Sequence, residues 1–202
     1  MAPKAKKQFE DIRIEKKQQI INAALKLFAN YGFHETSISK IAKEAWISKG
    51  LLYNYFESKE SLLREIMAEF SETIMNLMNP DHDDEITSQE MEDFFTLIID
   101  LLKSNKEQWK LYHQVSMQQG VTDILMEDAF LFKMEKNQQL IYKYFAERFD
   151  NPELEMFIFS SMFKGFSVQY VFSENNIPEE ITTEFKKRLK EMFIKPKKRY
   201  EK

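Results

Sequence analysis

Between residues 36 and 59 the chain carries side chains suited to one kind of chemistry, recognition of a nucleic-acid duplex. Lys49 can reach a phosphate or the O6 and N7 of guanine, Asn54 can pair with a base edge, and Leu51 can touch a thymine methyl. Tyr53, Tyr55, Thr36 and Ser39 offer hydroxyls to phosphates, and Lys59 with the start of its helix offers another phosphate site. Ser37, Lys40, Ser48 and Gly50 complete the candidate contact set. Other chemistries lack their parts. There is no Cys, hence no disulfide, thiolate metal site or thiol nucleophile. The 3 His show no H-E-x-x-H spacing, and no Ser lies in a G-x-S-x-G elbow. The run Asp81-His82-Asp83-Asp84-Glu85 reads as a solvated linker, since five consecutive loop residues rarely converge on one ion. No enzyme activity, cofactor or metal is expected.

The elements that must hold these side chains are helical. Ile14, Gln18, Ile21, Leu25 and Phe28 recur at three- and four-residue steps, which predicts an amphipathic helix from about residue 12 to 31, closed by Gly32 as a left-handed cap. Thr36-Ser37 can cap a helix at 38–45, Ser48 one at about 49–55, and Ser58 one at 59–79. Two short helices about three residues apart have the spacing of a helix-turn-helix. Ile38, Ile41, Ala42 and Ala45 form the inner face of the first, with Ile47 and Leu52 filling the crossing. Five more helices are expected at about 88–104, 106–118, 122–149, 152–174 and 178–194. The fold class is all-α, with about nine helices. Only 4 Gly and 5 Pro among 202 residues leave little material for hairpins or phosphate-binding Gly loops.

Charge divides the chain. Residues 1–60 hold 11 Lys and Arg against 7 Asp and Glu, and the remainder holds 18 against 26, for an overall net charge of −4. A basic first quarter on an acidic remainder points to a polyanion-binding head on a body with another task. The ends are basic too: Lys4, Lys6 and Lys7 read as a solvated arm or an arm that touches DNA, and 195–199 as a frayed tail. No apolar stretch is long enough to span a membrane, and no apolar segment follows the basic start as in a secretory signal. A cytoplasmic location is expected.

The run from Ile20-Ile21-x-Ala23-Ala24-x-x-Leu27-Phe28 through Gly32-Phe33-x-x-Thr36-Ser37-Ile38-x-x-Ile41-Ala42-x-x-Ala45, continuing as Ile47-Ser48-Lys49-Gly50-x-Leu52-Tyr53-x-Tyr55-Phe56-x-Ser58-Lys59-Glu60-x-Leu62, resembles the tetracycline-repressor (TetR) family. The likeness covers about residues 14–65. It implies a DNA-binding head at 1–58, a connecting helix at 59–79, and a ligand-binding and dimerisation body at 80–202. It also implies a homodimeric regulator, more often a repressor, that answers to a small ligand. One position departs: Trp46 stands where the family usually has Gly. A positive φ at this turn costs a bulky residue of order 1 kcal/mol. A distorted turn, a shifted recognition helix and an indole packed over the helix junction are the alternatives.

One recognition helix reads only a few base pairs, so a two-fold pair on a palindromic operator is also expected on physical grounds. In the body, Met156, Phe159, Ser160, Phe163 and Ser167 form one stripe, and Ile181, Phe185, Leu189, Met192 and Phe193 another, as a dimer surface in a four-helix bundle. Trp109, Tyr112, Phe130, Tyr142, Phe163, Phe166 and Tyr170, with His113 as a polar contact, are candidates to line a pocket for an apolar effector. Core packing predicts the same aromatic spacing.

Overall fold

The computed structural model describes residues 3–174 and 177–194, apart from the side chains at 3–6, 128, 129 and 133. Among the described residues there are ten α-helices: α1 Pro3–Tyr31, α2 Ile38–Glu44, α3 Lys49–Tyr53, α4 Lys59–Met78, α5 Ser88–Ser104, α6 Lys106–Ser116, α7 Val121–Leu125, α8 Asp128–Ala146, α9 Pro152–Phe172 and α10 Glu179–Phe193. Among the described residues there is no strand, so the all-α class holds. One helix expected at 122–149 is two. Met126 closes α7 with its N–H on the Thr122 and Asp123 carbonyls, and α8 begins only at Asp128. α1 starts at Pro3, more than two turns earlier than its apolar spacing indicates, and residues 7–11 are exposed, so the core leaves no apolar pattern there. The side chains of Lys4 and Lys6 and the tail 195–199 lie outside the described residues, while Lys7 is exposed.

The chain divides into two compact units, Met1–Glu69 with Leu111–Phe130, and Phe70–Lys110 with Leu131–Lys202. The first unit therefore takes in residues 111–130, which lie in the expected body region. Its interior is built from Ile20, Ile21, Leu25, Phe28, Phe33, Ile41, Leu52, Leu62 and Leu63. Gly32 (φ 89) turns the chain at the end of α1, with its N–H on the Phe28 carbonyl. Gln118 spans that turn. Its Nε2 donates to the Phe28 carbonyl and its Oε1 accepts the Phe33 N–H, both at 2.7 Å. Nearby, Gly120 (φ 78) leaves room for His34, whose Nε2 lies 3.0 Å from where a Cβ would stand. Ser37 and Ser48 cap α2 and α3, and Ser58 exchanges reciprocal caps with Ser61 at the start of α4.

The second unit has an aromatic core of Phe94, Phe95, Tyr144, Phe145, Phe149, Phe159, Phe166 and Phe193. α5 packs on α9 and α10. Thr87 and Glu90 form a capping box at α5, and Asn151-Pro152 open α9 as their types predict. Lys103 and Lys190 pair with Glu179 and Glu92, each at 2.9 Å. The Lys103 hydrogen bond holds the Glu179 carboxyl below the usual carboxylate range.

Most of the stripe expected to dimerise faces this core instead. Ser167 is 0% exposed, Phe159 and Leu189 are buried, and Met156, Phe163, Phe185 and Met192 pack against the same cluster. Of the expected stripe residues, Ser160 and Ile181 are exposed, while Phe193 is core. The outward face of α9 carries Leu154, Phe157, Ser161, Gly165, Val168 and Phe172. α9 is apolar on every side, so its periodicity does not say which side is inner.

Candidate nucleic-acid interface

α2 packs against α1 and α3, and the contact is made by Ile41, Ala42, Ala45 and Leu52, all buried. Small residues on α2 let the helices approach closely, and burial on this side leaves the opposite side of α3 in solvent. Lys49, Gly50, Leu51, Tyr53 and Asn54 are all exposed there. The Lys49 ammonium stands 5.8 Å from the Tyr53 ring centre, so both groups present together. Ser37 and Ser48 are exposed and accept the Lys40 and Leu51 N–H groups, which leaves each hydroxyl hydrogen to donate outward. Ser39 is exposed, and Lys40 holds the Glu35 carbonyl at 3.0 Å with two further ammonium hydrogens to give. Residues 37–54 contain three Lys and one acid, Glu44.

Gly50 is informative. It is the second residue of α3, where Gly is a weaker helix former than Ala, and a Cβ there would meet nothing within 4 Å. No internal contact requires the missing side chain. A bare backbone at this place is useful to a partner that must come close.

Three expected contacts take other places. Thr36 is 1% exposed, and its hydroxyl donates to the Gly32 carbonyl at 2.8 Å and the Leu27 carbonyl at 3.3 Å. It braces the turn after α1 and does not reach solvent. Lys59 donates to the Phe33 and His34 carbonyls and covers the Phe33 ring at 4.4 Å, so its ammonium ties the α1–α2 connection to α4. Tyr55 is half-buried beyond the end of α3. Lys43, exposed and without an ion pair among the described residues, was not among the expected contacts, although its spacing from Lys40 placed it on the same side of α2.

Trp46 has left-handed backbone, φ 52. Its N–H donates to the Lys43 carbonyl and the Ile47 N–H to the Ala42 carbonyl, the paired bonds that close a helix when Gly holds this position. The turn is therefore regular despite the large side chain. The indole does not pack over the helix junction, since Trp46 is 87% exposed.

The expected pocket residues are divided. Tyr112, His113 and Phe130 belong to the first unit, and Trp109, Tyr142, Phe163, Phe166 and Tyr170 to the second. Trp109 packs edge-on to Phe70 (4.6 Å) and Phe163 (6.1 Å), and Phe166 stacks on Phe185 at 4.2 Å. These rings fill core. Tyr142 is exposed, in a shallow groove with Gln138, Gln139, Glu153 and Met156, which does not fit an enclosed pocket. Among the described residues no cluster of three or more His, Asp or Glu is placed to hold a metal. No described helix is long and apolar enough to cross a membrane.

Residues 20–66 match the family described as bacterial regulatory proteins, tetR family. Over 53 residues the chain is 55% identical to the HTH-type transcriptional regulator YuxN of Bacillus subtilis, a match covering 26% of this chain and 18% of that one. Over 136 residues it is 32% identical to the HTH-type transcriptional regulator YerO of the same organism, covering 58% and 46%. Over residues 20–66 the chain is similar to the TetR family. The helix-turn-helix geometry of α2 and α3 lies inside the matched segment. The match spans less than half the length of either relative. Across the whole fold, the structure of the fatty acid degradation regulator FadR from Bacillus halodurans superposes with a TM-score of 0.60 at 21% identity, covering 89% of this chain and 94% of that one. The relatives' names are those of regulators, in agreement with the expectation that the chain is no enzyme.

Proposed function

We propose that this protein is a sequence-specific transcriptional regulator that binds a palindromic operator as a homodimer and is released from it by a small apolar effector, acting as a repressor. The observation that carries the reading is the outer side of α3, where Lys49, Tyr53 and Asn54 surround a Gly50 backbone that nothing inside the molecule approaches. A major groove admits one helix, and this side has the donors to read it. Such a target places the protein in the cytoplasm.

The pairing surface we assign is the outer side of α9. Leu154, Phe157 and Phe172 are exposed there, aligned at three- and four-residue steps with Ser161, Gly165 and Val168. A Cβ at Gly165 would meet nothing within 4 Å, which leaves space for a partner helix. A helix apolar all round with one side in solvent is built to be covered. The effector reading rests on the aromatic content of the second unit and the family likeness. α4 carries the chain from one unit to the other and is the element through which occupancy alters the spacing of two recognition helices, about 34–36 Å when they sit in successive grooves.

The test is selection of duplexes from a random-sequence pool by the purified protein, followed by gel shifts across a salt series and sizing by light scattering. A palindromic site bound by a dimer, with affinity falling steeply as salt rises, is expected. Thermal shifts with acyl and aromatic compounds identify the effector class, and a compound that stabilises the protein should weaken the shifted band. Failure to recover any duplex refutes the reading.

A further inference from the structure

We propose that Trp46, with Tyr31, Lys40 and Lys43 beside it, forms a second DNA contact that grips the sugar–phosphate backbone flanking the groove entered by α3. The inference rests on the DNA-binding reading and extends it to a surface outside α3.

Trp46 is costly to this fold in two ways. It holds a left-handed conformation (φ 52) that Gly adopts freely, and it leaves the largest apolar side chain almost wholly in water. No described residue makes a ring contact or hydrogen bond with its indole. Strain and exposure without an internal return point to a contact outside the chain.

The surroundings identify the chemistry of that contact. Trp46, Tyr31 and Leu27 form the apolar side of an open groove of about 520 Å³, and Lys40, Lys43 and Glu44 line the rest. Tyr31 is itself exposed. Lys43 has no ion pair among the described residues, and Lys40 holds only the Glu35 carbonyl. Two ammonium groups, an indole N–H and two aromatic faces match a phosphodiester beside deoxyribose, with donors for the phosphate oxygens and apolar area for the sugar.

The position in the chain agrees. Trp46 is two residues before Ser48, the cap of α3. A helix that enters the major groove by its N-terminal residues lays its leading flank over the phosphate backbone, and the helix before it crosses that backbone. Lys40 and Lys43 stand on this preceding helix, α2.

The experiment uses the full chain and a duplex recovered by the wild-type protein, about 30 base pairs long so that it holds two half-sites one helical turn apart with their flanks. Trp46→Gly should raise the melting temperature by releasing strain while weakening the duplex roughly tenfold. A purely structural role for Trp46 would move both in the same direction. Removing a neutral contact should leave the salt dependence unchanged, whereas Lys43→Ala should lower its slope by about one. The chain has 2 Trp, and Trp109 is buried, so emission lost in Trp46→Phe reports the exposed indole. That emission should be shielded from acrylamide by the duplex. Equal affinity of Trp46→Gly and wild type overturns the inference, and so does an indole that stays open to acrylamide on DNA. Shielding that appears with rising protein concentration in the absence of DNA also overturns it, in favour of a second copy of the chain. If Lys49→Ala weakens binding and Trp46→Gly does not, this inference fails alone. If the wild-type protein recovers no duplex, the DNA-binding reading fails with it.

Discussion

Replacing Gln118 with Met should loosen the turn that sets α2 in place. The Gln118 amide makes two hydrogen bonds of 2.7 Å, to the Phe28 carbonyl and from the Phe33 N–H. The two losses are unequal. The Phe28 carbonyl keeps the Gly32 N–H at 3.0 Å. The Phe33 N–H belongs to a residue only 1% exposed, and without Gln118 it has no acceptor among the described residues. A net hydrogen bond is worth about 1 kcal/mol, and an orphaned buried donor costs about 1–3 kcal/mol. Met keeps most of the volume, so a cavity adds little. The expected loss is therefore about 2–4 kcal/mol, read as a lower urea midpoint. It should appear locally as faster hydrogen exchange at the Phe33 amide. Gln118→Glu separates the two bonds, because a carboxylate accepts the Phe33 N–H but cannot donate to Phe28. It should cost clearly less than Met. A Met variant within about 0.5 kcal/mol of wild type, or Glu and Met variants of equal stability, would refute the assignment of the cost to the orphaned donor.

Gly50→Ala should stabilise the fold by about 0.5–1 kcal/mol, because the added methyl meets nothing within 4 Å in this helix, and yet weaken duplex binding at least tenfold. Equal affinity in a gel shift removes the argument from the bare backbone. Phe157→Glu, on the outer side of α9, should yield folded monomers by light scattering, while Leu189→Glu, buried in the core, should fail to fold. A Phe157→Glu protein that stays dimeric places the pairing surface elsewhere. Burial pushes the Tyr144 phenol above its ordinary value of about 10, and its hydroxyl donates to the Phe193 carbonyl at 2.9 Å. The folded state thus keeps its proton longer than the unfolded chain does. This stabilisation is complete below pH about 10 and falls as pH rises above it. Denaturation midpoints should drop more steeply with alkaline pH in wild type than in Tyr144→Phe, and parallel curves would contradict the assignment.

The helix-turn-helix was legible because its determinants are local. Ser37 and Ser48 cap α2 and α3 through N–H groups three residues on, and Ile41, Ala42, Ala45 and Leu52 mark the inner side by spacing alone. The same locality explains the exposure of Lys49, Tyr53 and Asn54, which lie opposite that inner side. The break between α7 and α8 was not legible, since neither Met126 nor Glu127 carries a turn signal.

Residue order alone determined the class of fold, most helix ends, and the position of α3 with its exposed Lys49. Tertiary structure decided the matters that depend on distant neighbours. Thr36 turned inward to carbonyls of α1 and the turn after it, Lys59 reached back to Phe33 and His34, and Gln118 crossed to a turn 85 residues away in the chain. α9 is apolar on every side, and only packing against α5 settled that Phe159 and Ser167 face the core and Phe157 faces out. Periodicity identifies a buried side only when the opposite side is polar, and a polar side chain's partner is set by what folding brings within hydrogen-bond reach.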